Sequence, residues 1–186
     1  PKRYPFSELQ WELVRNSQEV MLVNGFDPEV RTLWITKLFR KPLAALSNMV
    51  TKLLAGTASS NDLLYFLHSS HDTQIWNIVK YLEPVGYEPI DMPYASTVYF
   101  ELHYDAECLR SKTASEDCFT VHVLNNGDPL KLQTCLTDNS LDPHRMGSTI
   151  CTYRSFMNHM QKLAFPGDID KQCLQTWQPK QLRFLE

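Results

Sequence analysis

The run Leu63-Leu64-Tyr65-Phe66-Leu67-His68-Ser69-Ser70-His71-Asp72-Thr73 decides how the fold is read. Its first half is apolar without a break and is bounded by polar residues, the pattern of a strand covered on both faces in an α/β sheet. Directly behind it, Ile75, Ile78, Val79 and Leu82 recur at i, i+3, i+4 and i+7, which predicts a helix that stops before Pro84. Ser70, His71, Asp72 and Thr73 then fall between a strand's carboxyl end and a helix N-terminus. Open α/β sheets bind ligands at that place, because unpaired amides and the positive end of the helix dipole favour anions.

Upstream, from Phe6 to Leu54, apolar residues keep a helical spacing: Leu33, Trp34 and Leu38, then Leu43, Leu46, Val50, Leu53 and Leu54. Pro42 is expected in a helix first turn and Gly56 at a helix stop. Downstream the period changes to two. Val98, Phe100, Leu102 and Tyr104 take one face of a strand and Tyr99, Glu101 and His103 the other, and Phe119, Val121 and Val123 repeat the alternation. Asp105 to Asp117 would form a long hairpin loop, and Asn126-Gly127 a tight turn before Pro129-Leu130. A last helix is expected to carry Tyr153, Phe156, Met157, Met160 and Leu163 on one side and to end by Pro166. No internal repeat, low-complexity tract or linker marks a domain boundary.

The 186 residues are 43% hydrophobic and 11% aromatic, enough for one globular domain with a core. A formal net charge of -3 lacks the basic field that nucleic acids or anionic membranes attract, so no nucleic-acid partner is expected. No apolar run approaches the roughly 20 residues of a membrane span. Pro1 to Tyr4 does not read as a signal peptide, which predicts a mature, processed or truncated chain.

All five cysteines, Cys108, Cys118, Cys135, Cys151 and Cys173, lie in the second half and form no C-x-x-C pair of the zinc-site kind. Disulfides are the favoured reading, over reduced cysteines in a cytosolic core. Cys108 and Cys118 flank a polar segment between two strand-like runs, and Cys135 and Cys151 bracket a polar loop. Cys173 is left over, which predicts pairing outside the sequence.

At the strand exit, a histidine can donate to a phosphate oxygen and a neighbouring carboxyl group can protonate a leaving alkoxide. A plainer reading makes Asp72 the cap of a helix beginning at Thr73 and His71 a hydrogen-bonded strand-end residue. Spacing alone does not separate the two.

Leu64 to Thr73 resembles the strand and His-Asp motif of the histidine acid phosphatases, the branch containing the prostatic and lysosomal enzymes. Pro93-Tyr94-Ala95-Ser96, Glu101-Leu102, Phe119-Thr120-Val121, Pro129-Leu130-Lys131-Leu132, Cys135 and Cys173 resemble that branch's C-terminal pattern in the same order. The resemblance implies an α/β fold: the C-terminal part of a phosphoglycerate-mutase-like mixed, mostly parallel sheet with flanking helices and a C-terminal β-hairpin. Residues 1–186 would then be a single partial domain, with a helical segment over 1–56 and the sheet, His-Asp motif, hairpin and last helix over 62–186. It implies hydrolysis of phosphate monoesters through a phosphohistidine, with Asp72 as proton donor and His71 on the phosphate. Thr73 joins His71 on the substrate side, with Ser69 and Ser70 as wall and cap residues. No cofactor is implied, and a secreted, lysosomal or other oxidising or acidic compartment is expected.

The family's nucleophile sits in an Arg-His-Gly-x-Arg-x-Pro motif that this sequence lacks; His144-Arg145 is reversed. The chain alone is therefore expected to be inactive. The nucleophile is expected on an N-terminal half, which the resemblance links by disulfide to Cys173, with a homodimer or larger assembly also compatible. The competing reading is a non-catalytic structural or binding subunit derived from the family. A metal site built from His68, His71, Asp72, His103 and His122 is disfavoured, because residues three apart on a strand face opposite sides. A serine hydrolase is disfavoured because no G-x-S-x-G surrounds Ser69 or Ser70.

Overall fold

A computed structural model describes residues 6–24, 28–87, 92–136 and 149–174. Helix α1 (Glu8–Asn24) opens on a reciprocal cap. The Ser7 amide donates to Gln10 Oε1 at 2.8 Å and the Gln10 amide to Ser7 Oγ at 3.3 Å, satisfying two of the amides a helix start leaves unpaired. Leu9, Leu13 and Val14 on this helix are exposed.

Helix α2 (Pro28–Leu54) differs from expectation at Pro42, which lies inside the 27-residue helix; Pro28 takes the first turn. A proline in a helix interior removes one backbone hydrogen bond and crowds the preceding turn. Buried Ile35 and Phe39 before it and Val50 after it anchor both halves of α2 in one core, and that packing outweighs the local preference. The stop at Gly56 is as the sequence predicts. Gly56 has φ +65°, its amide donates to Leu53 O at 3.2 Å, and the Thr57 amide donates to Lys52 O at 2.9 Å. These are the two bonds of a Schellman cap, and they need a residue free to adopt positive φ.

Helix α3 (Asp72–Leu82) follows the predicted bounds and buries Ile78, Val79 and Leu82. Strand β1 (Val98–Tyr104) pairs antiparallel with β2 (Phe119–Asn125) in a register that sets Phe100 opposite Val123, Glu101 opposite His122 and Leu102 opposite Val121. The hairpin loop between them is structured, holding α4 (Ala106–Arg110) and a 3-10 turn at Glu116–Cys118, and Cys108 bonds Cys118 across it. Asn126 and Gly127, both at positive φ, turn the chain into β3 (Asp128–Pro129), the tight turn their sequence predicts. After α5 (Gln133–Leu136), β4 (Ile150–Thr152) pairs with the first half of β2, and the Cys135–Cys151 disulfide ties the two elements together. Helix α6 (Tyr153–Leu163), capped by the Thr152 hydroxyl, buries Tyr153, Phe156 and Met160. A short α7 (Ile169–Cys173) ends the described chain.

The fold is thus mixed α/β with a four-stranded sheet of order β1-β2-β3 and β4 beside β2. Every strand pair among the described residues is antiparallel, and the expected mostly parallel sheet is not found among them. The expected strand over Leu63–Leu67 has no regular secondary structure, and Leu64 and Leu67 are 79% and 74% exposed. A strand exists only through hydrogen bonds to neighbours, and among the described residues none lies beside this run. The core forms elsewhere. Phe119, Val121 and Val123 of β2 meet Ile35 and Phe39 of α2, Ile78 and Leu82 of α3, and Phe156 and Met160 of α6 in one buried cluster.

Candidate functional site

His71 and Asp72 open α3, and both are exposed. His71 is the residue before the helix, with extended backbone (φ -104°, ψ 162°), and its carbonyl accepts the Gln74 and Ile75 amides at 3.0 and 3.1 Å. Its imidazole makes no capping bond. A carboxylate oxygen of Asp72 accepts the Thr73 amide at 2.6 Å, so this side chain occupies part of the helix's free amide end.

The rotation of α3 about its axis is fixed one turn further along. Fully buried Asn77 donates through Nδ2 to Thr73 O at 2.6 Å and accepts Arg31 Nε of α2 at 2.9 Å. This links the half-buried Thr73 backbone to the neighbouring helix. Ser70 Oγ donates to Gln74 Oε1, tying the approach segment to the first turn. At the other end of α3, buried His159 of α6 donates from Nε2 to the Leu82 carbonyl at 2.9 Å and accepts the Thr134 hydroxyl on Nδ1 at 3.0 Å. Burial holds this imidazole below its ordinary titration range, in keeping with a neutral ring that has one donor and one acceptor nitrogen. Helix α3 is therefore clamped at both ends while His71 and Asp72 at its start face solvent.

The histidines weighed as a metal set part company. His103 and His122 come together on the sheet with Glu101, and neither His68, His71 nor Asp72 joins that group. Sequence reading placed Glu101 and His103 on one strand face but did not fix the register that sets His122 opposite Glu101; that register was the missing signal. A shallow groove lies between the Pro93–Ala95 corner and the Asn126–Gly127 turn, walled by Tyr99, and His71 and Asp72 do not line it. His144-Arg145 lies outside the described residues.

The two disulfides fall on the expected pairs, Cys108–Cys118 and Cys135–Cys151, and suit an oxidising compartment. Cys173, at the end of α7, is a free, exposed thiol. No helix among the described residues is long and apolar enough to cross a membrane. Comparison of the chain with models of protein families, with curated proteins and with solved structures finds no match.

Proposed function

We propose that this chain is the C-terminal part of a histidine acid phosphatase-like phosphomonoesterase, completed by an N-terminal segment or chain that bears the nucleophilic histidine. One observation carries the reading: an uninterrupted apolar run, exposed along its length, leads straight into a His-Asp pair at the solvent-facing start of an 11-residue helix. Five neighbouring apolar residues left in water are unfavourable, at about 25 cal/mol for each Å² of apolar surface a partner would cover. Strands from another segment would cover Leu63–Leu67 and complete the phosphoglycerate-mutase-like sheet. They would also turn the start of α3 into the wall of an anion pocket. The exposed Cys173 thiol suits a disulfide to that segment, and the two intrachain disulfides suit a secreted or lysosomal setting.

In this mechanism the phosphoryl group passes from the ester oxygen to the partner histidine's nitrogen, while Asp72 gives its proton to the leaving alkoxide. His71 donates to a phosphoryl oxygen as charge develops there. Water then attacks the phosphohistidine and returns a proton to Asp72. Phosphatase assay of the natural material tests this. Asp72→Asn should lower turnover by about 10²–10⁴-fold while changing stability by no more than about 1 kcal/mol, the worth of a carboxylate at a helix start, and the chain alone should be inactive. Activity that survives Asp72→Asn would refute the role of Asp72. Absence of any phosphatase activity in the natural material would leave the second reading, a non-catalytic subunit, which the missing Arg-His-Gly motif and the Asp72–Thr73 capping contact favour.

A further inference from the structure

We propose that the solvent face of the β1–β2 hairpin holds a zinc-class divalent metal ion on Glu101, His103 and His122. The donor atoms of these three side chains all lie within 4.8 Å of one another. Glu101 Oε2 and His103 Nε2 are 3.1 Å apart, and the His103 and His122 rings stack with centroids 4.1 Å apart and 23° between their planes. Tetrahedral zinc, with bonds of about 2.0–2.2 Å to nitrogen and oxygen, holds its donors roughly 3.3 Å apart. The Glu101–His103 pair already stands at that separation. The His122 donor already lies within 4.8 Å of both, so the set has to close by no more than about 1.5 Å, an adjustment on the scale of side-chain rotation.

The scaffold makes the convergence reproducible. Glu101 and His103 are two apart on β1 and share a face, and His122 is the direct partner of Glu101 on β2. The opposite faces of the same strands carry Phe100, Leu102, Val121 and Val123, all packed in or against the core. The Cys108–Cys118 disulfide ties the loop end of the hairpin, and its open end is held by Asn126, whose Oδ1 accepts the Thr97 amide at 2.8 Å. Ligands on paired strands are placed more tightly than ligands on loops.

The donor set selects the metal. Two imidazoles and one carboxylate suit zinc and its transition-metal neighbours iron, copper and nickel, whereas calcium and magnesium favour oxygen donors. Three protein ligands leave a fourth position to water or a substrate oxygen, the composition of an exchangeable site.

The test is a zinc chloride titration of the full chain, disulfides intact and the Cys173 thiol blocked by alkylation, against a chromogenic zinc chelator. One ion per chain is expected, with affinity at least about tenfold weaker in His103→Ala and in His122→Ala and unchanged in His68→Ala. In the unsubstituted chain, the ring protons of His103 and His122 should shift with zinc in NMR spectra while those of His68 and His71 stay in place. This readout does not depend on the variants folding. Unaltered binding in both variants, shifts confined to other histidines, or no binding at millimolar zinc would each overturn the proposal.

Discussion

Leu63–Leu67 and Phe119–Asn125 are the two segments of this chain that most resemble buried strands, and they end in opposite states. The first is apolar at every position, the pattern of a strand between two layers, yet it stands exposed and unpaired. The second alternates apolar and polar residues, and its Phe119, Val121 and Val123 are the floor of the core, paired to β1 on one side and to β3 and β4 on the other. The difference lies in the neighbours. β2 draws its partners from sequence within reach, through one hairpin loop, one tight turn and one disulfide-tied return. As a strand, the Leu63 run would need partners on both flanks and on both faces, and the described residues supply none of them.

That contrast can be broken by putting a charge into each segment. Val121→Asp buries an uncompensated carboxylate in the core and should cost at least about 3–5 kcal/mol, a large share of the stability of an ordinary domain, read as lost cooperativity in denaturant unfolding. Removing the Cys135–Cys151 link by a double Cys→Ala substitution frees β4 from its tie to α5 and moves the edge of β2 towards the unpaired state. For a sequence separation of 16 the expected loss is about 3 kcal/mol, measurable in the same unfolding experiment. His159→Ala loosens the joint that α6 makes with α3 and α5, stranding the Leu82 carbonyl and the Thr134 hydroxyl at a cost of about 1–3 kcal/mol.

The same histidine sets a pH dependence. Its folded-state pKa lies below the ordinary 6.5, through burial first, so below that value the unfolded chain binds more protons than the folded one. Its contribution is complete above pH 6.5 and is lost as pH falls through the folded value; in His159→Gln, thermal melts should lose that part of the acid-side slope. The smallest effect is expected at the other segment. Leu64→Asp, at a side chain 79% exposed, should change the stability of the isolated chain by no more than about 0.5 kcal/mol. A large cost there would show that the run is buried after all, and the comparison would fail.

Much of the fold was legible because its signals were local. The α3 period, the Gly56 stop, the Asn126-Gly127 turn, the alternation in β1 and β2 and both disulfide pairs depend on residues close in sequence or on strand ends that adjoin. Pro42 misled because a long amphipathic helix anchored on both sides of a proline can carry the local penalty, and no local rule registers that anchoring. At the Leu63 run no strand forms among the described residues, because apolar continuity reports what a segment would bury and says nothing about whether a partner stands beside it. At the candidate site, the sequence located His71 and Asp72 at a helix start, while the Arg31–Asn77–Thr73 linkage and the Glu101–His122 pairing depended on tertiary register and could not be read from spacing.

The proposed function requires Leu63–Leu67, irregular and exposed in the chain alone, to become a strand when partners from elsewhere join it, with Asp72 at its end as proton donor. Amide hydrogen exchange across residues 63–67, measured on the chain alone and on the natural material alongside a phosphatase assay, is the decisive readout. Rapid exchange is expected in the first and strong protection in the second, lost together with phosphatase activity on separation from the partner segment. Rapid exchange of these amides in fully active material would contradict it.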